Sequence, residues 1–206
     1  MAMKQIITIQ HTQSVHHTNG MVGSWTDWDL SELGHEQARR IAKNLAPELK
    51  GQSVKIYSSD LKRAAQTAAP LAEKLGIEIE YRQELRERNL GEAVGKSAQW
   101  WRENRISDVP ENYIDNRPFP SAETEREVYQ RLEPLCREVL DRPEDTIVLV
   151  SHGGTLGVWN ILWLGLPPEA MNHCGIRTKA GAVGRFGIYD GWSRQIYLIG
   201  DMSYMR

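Results

Sequence analysis

The segment TIVLVSHGGTL (residues 146–156) is the strongest single indicator of fold in this chain, because a long apolar run ends there at His152 and two glycines. An apolar, β-branched run bounded by glycine is typical of a buried strand that turns tightly into a helix. The segment MKQIITIQHTQS (residues 3–14) has the same arrangement, with His11 just past its own apolar run. Both histidines are therefore predicted at the carboxyl ends of buried strands, where α/β sheets bind their ligands.

Predicted strands and helices alternate along the rest of the chain, and the last two predicted strands form a hairpin around Asp190 and Gly191. This alternation predicts an α/β fold, a three-layer sandwich whose mainly parallel central sheet carries helices on both faces. The predicted strands span residues 5–10, 55–58, 77–81, 146–150, 183–189 and 195–199. The predicted helices span residues 30–49, 60–75, 99–104, 123–140 and 154–164.

The composition indicates one globular domain over residues 1–206, with an insertion or lid at about residues 91–121. A net charge of −2 argues against a nucleic-acid partner. No apolar run is long enough to cross a membrane, and the N-terminal segment does not resemble a signal peptide. We therefore expect a cytoplasmic protein without a membrane or nucleic-acid partner.

The run SSDLKRAAQTA (residues 58–68) places Arg63 in the first turns of a helix that follows a short strand. The N-terminus of a helix attracts anions, so this position favours an anion site. The glycines of SHGG permit a close approach of the backbone to a ligand beside His152. Neutral imidazole is a nucleophile near pH 7, so two histidines and an anion site indicate phosphoryl chemistry at a histidine.

Several motifs, taken in chain order, resemble those of the histidine phosphatase superfamily, also called the phosphoglycerate mutase-like family. They are QHTQS, GSWTDWDLSELGHEQA, SSDLKRAAQTA, LRERNLGEAVGKS, VLVSHGGTL and the tail GDMSYM. The resemblance implies that His11 is the nucleophile and that Glu87 is the proton donor. It also implies that Arg63 binds phosphate, that His152 stabilises the transferring group, and that no cofactor is needed.

The first motif departs from the family pattern. Gln10 replaces the family's arginine, Thr12 its glycine, Ser14 its threonine, and His17 an asparagine that contacts phosphate. The resemblance still places Gln10, Ser14 and His17 in the phosphate-binding pocket with Arg63. Glutamine cannot replace the bidentate hydrogen bonding of an arginine to phosphate, and one hypothesis is that a protonated His17 returns one positive charge. Other candidate cations come from the predicted lid: Arg88, Lys96 and Arg102.

The sequence leaves three functions open. The first is a phosphomonoester hydrolase that acts on a small phosphorylated molecule through a phosphohistidine. The others are a phosphate-binding pseudo-enzyme, which the loss of the motif arginine favours, and a phosphoglycerate mutase. The histidines His11, His16 and His17 also raise the idea of zinc, but no further cysteine or acidic ligand completes a set, so we predict no metal site.

Overall fold

The sheet is built from the apolar runs that the sequence marks as strands, and Ile6, Ile7 and Ile9 of its first strand are fully buried. The structure, a computed structural model, describes residues 4–206. The strands are β1 (Gln5–Gln10), β2 (Val54–Ser58), β3 (Ile79–Tyr81), β4 (Thr146–Ser151), β5 (Val183–Tyr189) and β6 (Ser193–Asp201). The helices are α1 (Glu32–Leu45), α2 (Lys62–Leu75), α3 (Ala98–Asn104), α4 (Glu125–Asp141) and α5 (Gly153–Trp163).

The strand order is β3-β2-β4-β1-β5-β6, with β1 to β4 parallel and β5 and β6 antiparallel. In this order β1 and β4 are neighbours, and Gln10 lies opposite Ser151. The next residue of each strand, His11 and His152, therefore leaves the sheet at the same edge. The strand pairing alone brings together two histidines that are far apart in sequence.

Two apolar cores lie on opposite faces of the sheet, which confirms the predicted three-layer α/β sandwich. On one face α1 and α2 bury Ile41 and Leu71 against β1 and β2. On the other face α4 and α5 bury Leu132 and Trp159. Helices α1, α2 and α4 each bury an apolar stripe at helical spacing, as expected for helices that cover a sheet, whereas α5 is buried on nearly every side.

Local chemistry sets the ends of these helices. The Ser31 side chain caps α1 by accepting from the Gly34 N–H at 3.0 Å. The predicted helix 30–49 ends early, at Leu45, because Pro47 opens a separate 3₁₀ turn over Ala46–Leu49. Gly76 ends α2 in the left-handed conformation, with a φ of +66°. The predicted strand 77–81 is also shorter than expected and begins at Ile79.

The segment 91–121 contains α3 and two 3₁₀ turns, Gly91–Ala93 and Pro110–Asp115. A small apolar cluster around Phe119 anchors the segment, and Trp100 stacks on the Phe119 ring with 5.3 Å between centroids. Its side chains line one wall of the cavity above His11. Closure of this segment as a lid remains a prediction. No helix among residues 4–206 has the length and apolar character needed to cross a membrane.

Candidate active site

His11 lies at the exit of β1, and its hydrogen bonds determine which ring nitrogen carries the proton. Its Nδ1 lies 2.8 Å from the Thr12 carbonyl oxygen. A carbonyl oxygen can only accept, so Nδ1 is protonated and Nε2 keeps its lone pair. The Arg63 Nε–H donates to that Nε2 at 3.3 Å. Burial, reinforced by the Arg63 charge, lowers the pKa of His11 well below its ordinary value, so the ring is neutral and nucleophilic.

Arg63 is the buried cation of the site, with 1% of its surface exposed. It belongs to the first turn of α2, and the long loop after β1 holds its guanidinium by two carbonyls. Nη1 donates to the Thr26 oxygen at 2.8 Å and Nη2 to the Ser24 oxygen at 2.6 Å. Burial lowers the pKa of Arg63 to about 10, which leaves the group charged at neutral pH. The sequence expectation of an anion-binding arginine thus has the required geometry.

His152 lies fully buried beside His11, with 5.0 Å between the two ring centroids. Its Nε2 is 2.8 Å from Oγ of Ser59, which is also fully buried. The Leu61 N–H donates to that Oγ at 3.3 Å. Among residues 4–206, His152 Nε2 is the acceptor that the Ser59 hydroxyl proton can reach. The hydroxyl therefore donates, which places the imidazole proton on Nδ1.

The Nδ1 atom of His152 is buried and has no hydrogen-bond partner in the described part of the chain. A buried N–H without a partner is costly and calls for a ligand to complete it. His152 is not itself part of the exposed cavity lining, but the adjacent Gly153 and Gly154 are. Burial lowers the pKa of His152 well below its ordinary value, with Arg63 adding to the effect. His152 is therefore a neutral donor next to the nucleophile.

His17 presents an N–H to the cavity for a different local reason. The Ser14 backbone N–H donates to His17 Nδ1 at 3.1 Å, so the proton of the neutral ring is on Nε2. The His17 ring stacks parallel to His11, with 5.4 Å between centroids. Burial, followed by the Arg63 charge, lowers the pKa of His17. The hydrogen bond to Nδ1 therefore favours a neutral His17 that donates from Nε2 over the protonated ring of the sequence hypothesis.

Ser14 lies behind the histidines rather than on the cavity wall. Its backbone N–H orients His17, and its Oγ is hydrogen-bonded to His16 Nδ1. Burial lowers the pKa of His16 to about 3. Ser14 was expected to bind phosphate directly, but in this arrangement it acts through the two imidazoles.

The same hydrogen bonds bear on the idea of a metal. Ligand nitrogens of His11, His16 and His17 lie within 4.8 Å of one another, and they form a candidate metal group among residues 4–206. Tetrahedral zinc with bonds of about 2.0–2.1 Å needs these nitrogens roughly 3.4 Å apart. A ligand nitrogen must also offer a lone pair, whereas the His17 nitrogen that faces the cavity carries a proton. With the Arg63 cation 3.3 Å from His11 as well, the site is better suited to an anion.

Gln10 occupies the position of the missing arginine and faces the cavity. The Thr178 hydroxyl donates to its Oε1 at 2.6 Å, which leaves the amide NH₂ as the free donor on the cavity side. Thr12, which replaces the family's glycine, points away from the cavity, and its hydroxyl donates to the Gly34 carbonyl at 2.8 Å. Of these two substitutions, Gln10 is therefore the one that changes the chemistry of the pocket.

Glu87 is held at the N-terminus of α5. Its carboxylate accepts the N–H groups of Gly154 and Thr155, each at 3.1 Å, and that of Arg88 at 2.9 Å. A second carboxyl group, Glu125, lines the same cavity and accepts from Arg88 Nη1 at 2.9 Å. Burial raises the pKa of Glu125, and the nearby Glu87 adds to the effect. The cavity wall therefore carries three carboxyl groups, those of Glu87, Asp108 and Glu125, of which sequence reasoning identified Glu87.

The expected lid cations do not supply a free charge to the phosphate pocket. All three nitrogens of the Arg88 guanidinium are committed, to Glu125 and to two backbone carbonyls. Lys96 lies over the Trp100 ring, and neither it nor Arg102 lines the cavity.

The cavity has a volume of about 540 Å³, more than a phosphate group alone fills. Five residues proposed from the sequence line its wall, His11, Arg63, Glu87, Gln10 and His17, and their roles remain predictions. Sequence reasoning did not select Arg105, Asp108, Tyr113, Glu125 or Arg177, which line the same wall.

The profile of the histidine phosphatase superfamily (branch 1) matches residues 6–194 of this chain. The chain belongs to this superfamily. A glucosyl-3-phosphoglycerate phosphatase from Mycolicibacterium vanbaalenii is 30% identical over 189 residues, covering 82% of this chain and 78% of the relative. Phosphoglycerate mutase-like protein 4 from Arabidopsis thaliana is 29% identical over 208 residues, covering 98% and 86%. The family and its relatives confirm the prediction of a phosphatase-class enzyme.

Solved structures show the same fold. A mycobacterial glucosyl-3-phosphoglycerate phosphatase in complex with VO3 superimposes with a TM-score of 0.77 at 24% identity, covering 96% of this chain and 99% of that one. The α-ribazole phosphatase from Shigella flexneri superimposes with a TM-score of 0.81 at 19% identity, covering 96% of each chain.

Proposed function

We propose that this protein hydrolyses a small phosphomonoester through a phosphohistidine at His11. One feature of the site carries the proposal: the hydrogen bonds leave a lone pair on His11 Nε2, while in His17 and His152 they place the proton on the nitrogen for which residues 4–206 provide no hydrogen-bond partner. One nucleophilic nitrogen flanked by N–H donors and the Arg63 guanidinium matches a transferring phosphoryl group, whose oxygens only accept. The two neutral imidazole donors and the buried Arg63 cation supply the hydrogen bonds and the charge that the phosphoryl group needs, so the proposed reaction uses no cofactor.

In the first step Nε2 of His11 attacks phosphorus, and the bond from phosphorus to the leaving oxygen breaks. Glu87 gives that oxygen its proton, and Arg63 with His17, His152 and the Gln10 amide stabilises the charge on the phosphoryl oxygens. In the second step water attacks phosphorus and loses a proton to Glu87. The bond between phosphorus and Nε2 breaks, which releases phosphate and restores neutral His11.

The decisive test is incubation with p-nitrophenyl phosphate, followed by a quench in alkaline detergent and mapping of phosphate that is stable to alkali and labile to acid. We expect a phosphate on Nε2 of His11, and neither phosphoenzyme nor phosphate release from His11→Ala. His35→Ala is the matched control, because it removes an imidazole on α1 outside the cavity. Full turnover by His11→Ala would show that His11 is not the nucleophile.

The loss of the motif arginine keeps a second function in view, a phosphate-binding protein without turnover. The same assay separates the two: vanadate binding without phosphohistidine, on a folded protein, would favour the binding function. Return of the phosphoryl group to an added acceptor instead of water would indicate a mutase.

A further inference from the structure

We infer that Arg177 forms a second anion subsite on the leaving-group side of the cavity, and that the preferred substrate carries a second anionic group there. The inference rests on the proposed function for the direction in which the leaving group departs. Its starting point is the size of the cavity, which extends well beyond the phosphate-binding residues at His11.

Arg177 differs from the other cations on the cavity wall. Arg105 faces Asp108 at 3.3 Å, Arg88 is paired with Glu125, and Arg63 is buried against the nucleophile. Among residues 4–206, no carboxylate lies within ion-pair distance of Arg177. Its one hydrogen-bond contact in that range is a long one, from Nη2 to the Tyr113 hydroxyl at 3.5 Å. Arg177 thus has its donors available for a ligand.

The loop that carries Arg177 is fixed at two points. Thr178 donates to Gln10 Oε1 at 2.6 Å, so the glutamine that replaces the motif arginine anchors this loop beside the nucleophile. The carbonyl of Ile176 lies so close to α5 that a Cβ on Gly157 would come within 2.9 Å of it. These two contacts therefore fix the position of Arg177 on the rim of the cavity, so the loop that carries it is not free.

The position of Arg177 relative to Glu87 assigns it to the leaving group. Gly154 holds the Glu87 carboxylate and lines both the main cavity and a small adjoining cleft of about 50 Å³. Arg177, Tyr113 and Glu125 line both spaces as well. The group that accepts a proton from Glu87 therefore departs toward Arg177, whereas the phosphoryl oxygens stay with Arg63 and the histidines.

The ligand chemistry follows from the available donors. The guanidinium of Arg177 offers paired N–H donors and a full charge, with the Tyr113 hydroxyl beside it. This combination fits a planar anion such as a carboxylate. Glu125 is paired with Arg88 and accepts a long contact from the Tyr113 hydroxyl at 3.5 Å; it forms no ion pair with Arg177 among residues 4–206, although the Arg177 charge reaches it across the cavity. The preferred leaving group is thus a small alcohol that bears a carboxylate.

The test compares two phosphomonoesters that differ mainly in that anion, 3-phosphoglycerate and glycerol 3-phosphate. We expect Arg177→Ala to lower kcat/KM for 3-phosphoglycerate about ten- to a hundredfold, mostly through KM, because a charge-assisted bond is lost. Activity on glycerol 3-phosphate and inhibition by vanadate should hardly change. Arg177→Lys should restore part of the loss, and Lys179→Ala, which removes a neighbouring exposed cation, should match the parent.

Two outcomes would overturn the inference. Equal losses on both substrates with weaker vanadate inhibition would place Arg177 on the phosphoryl group, and no change on either would make it a surface residue. Calorimetry on His11→Ala, with and without Arg177→Ala, separates this inference from the proposed function. If no phosphomonoester is hydrolysed, selective binding of 3-phosphoglycerate that depends on Arg177 still supports the subsite, and its absence rejects it.

Discussion

At the scale of single residues, the site depends on which nitrogen of each histidine carries the proton. The Nδ1–H of His11 donates a hydrogen bond to a carbonyl. The Nδ1 of His17 accepts one from a backbone N–H, and the Nε2 of His152 accepts one from a hydroxyl. The same side chain thus becomes a nucleophile in one place and a donor in two others, without any imidazolium. No sequence motif specifies this difference, because each tautomer depends on the partner of the other ring nitrogen.

Ser59 is expected to act through His152. Ser59→Ala removes the O–H that keeps the His152 proton on Nδ1, so that nitrogen can lose its role as a donor to phosphate. We expect weaker vanadate binding and a kcat about tenfold lower, whereas the thermal unfolding midpoint shifts only by a few degrees. Ser59→Thr, which keeps the hydroxyl, should recover activity.

The matched control for this residue is Ser58→Ala, since Ser58 is equally buried but donates to the Ser59 carbonyl. If both alanine variants lose activity in proportion to their stability, Ser59 has only a structural role.

Gln10→Arg tests whether the missing guanidinium limits catalysis. His17 is neutral and the guanidinium of Arg88 is committed, so no cation among these candidates occupies the arginine's place. We expect kcat on p-nitrophenyl phosphate to rise by about 10²-fold, the scale of one added donor to transition-state charge. Gln10→Met, which keeps length but removes the amide, should lower kcat. A fall in the arginine variant would mean that the hydrogen bond from Thr178 matters more than the missing charge.

At the scale of elements, the N-terminus of α5 positions both the donor His152 and the carboxylate of Glu87. Because Glu87 accepts three N–H bonds while Glu125 has a raised pKa, the source of the leaving-group proton is open to a direct test. We expect Glu87→Gln to cut kcat/KM on glycerol 3-phosphate by about 10²–10⁴-fold. The loss of kcat/KM on p-nitrophenyl phosphate should be far smaller, since p-nitrophenolate departs without a proton and the later attack by water, which also uses Glu87, affects only kcat.

Glu125→Gln serves as the comparison for this prediction. It should lack the dependence on the leaving group, because Glu125 is paired with Arg88 and lies farther along the cavity wall. If the dependence appears in Glu125→Gln and not in Glu87→Gln, the proton comes from Glu125.

The strands and helices were largely predictable from sequence. The periodic spacing of apolar residues, the N-cap at Ser31 and the helix end at Gly76 are all local signals. The positions of His11 and His152 at the ends of two predicted strands could also be predicted from sequence. The pairing of these strands as neighbours in the sheet then brings the two histidines together. Arg177 and Glu125 could not be predicted, since they come from separate loop and helix ends that only the folded chain places on one wall.

At the scale of the whole molecule, burial of neutral histidines couples stability to pH. The pKa values of His11, His16, His17 and His152 are all lowered on folding, that of His16 to about 3. An unfolded histidine has a pKa near 6.5, so below that pH the unfolded chain binds protons that the folded chain does not. The free energy of unfolding is therefore fully retained above about pH 6.5 and falls as the pH decreases.

His16→Gln is the variant that tests this coupling, because His16 lies beside the nucleophile without being assigned a chemical step. Each such group adds a slope of at most about 1.4 kcal/mol per pH unit between its folded and unfolded pKa values. We expect urea unfolding at about pH 7.5, 6 and 5 to show a smaller loss of stability in His16→Gln than in the parent. His173→Gln, which removes an exposed imidazole outside the cavity, is the matched control and should follow the parent. Identical slopes for His16→Gln and the parent would mean that His16 binds protons equally in the folded and unfolded chains, so that folding does not lower its pKa.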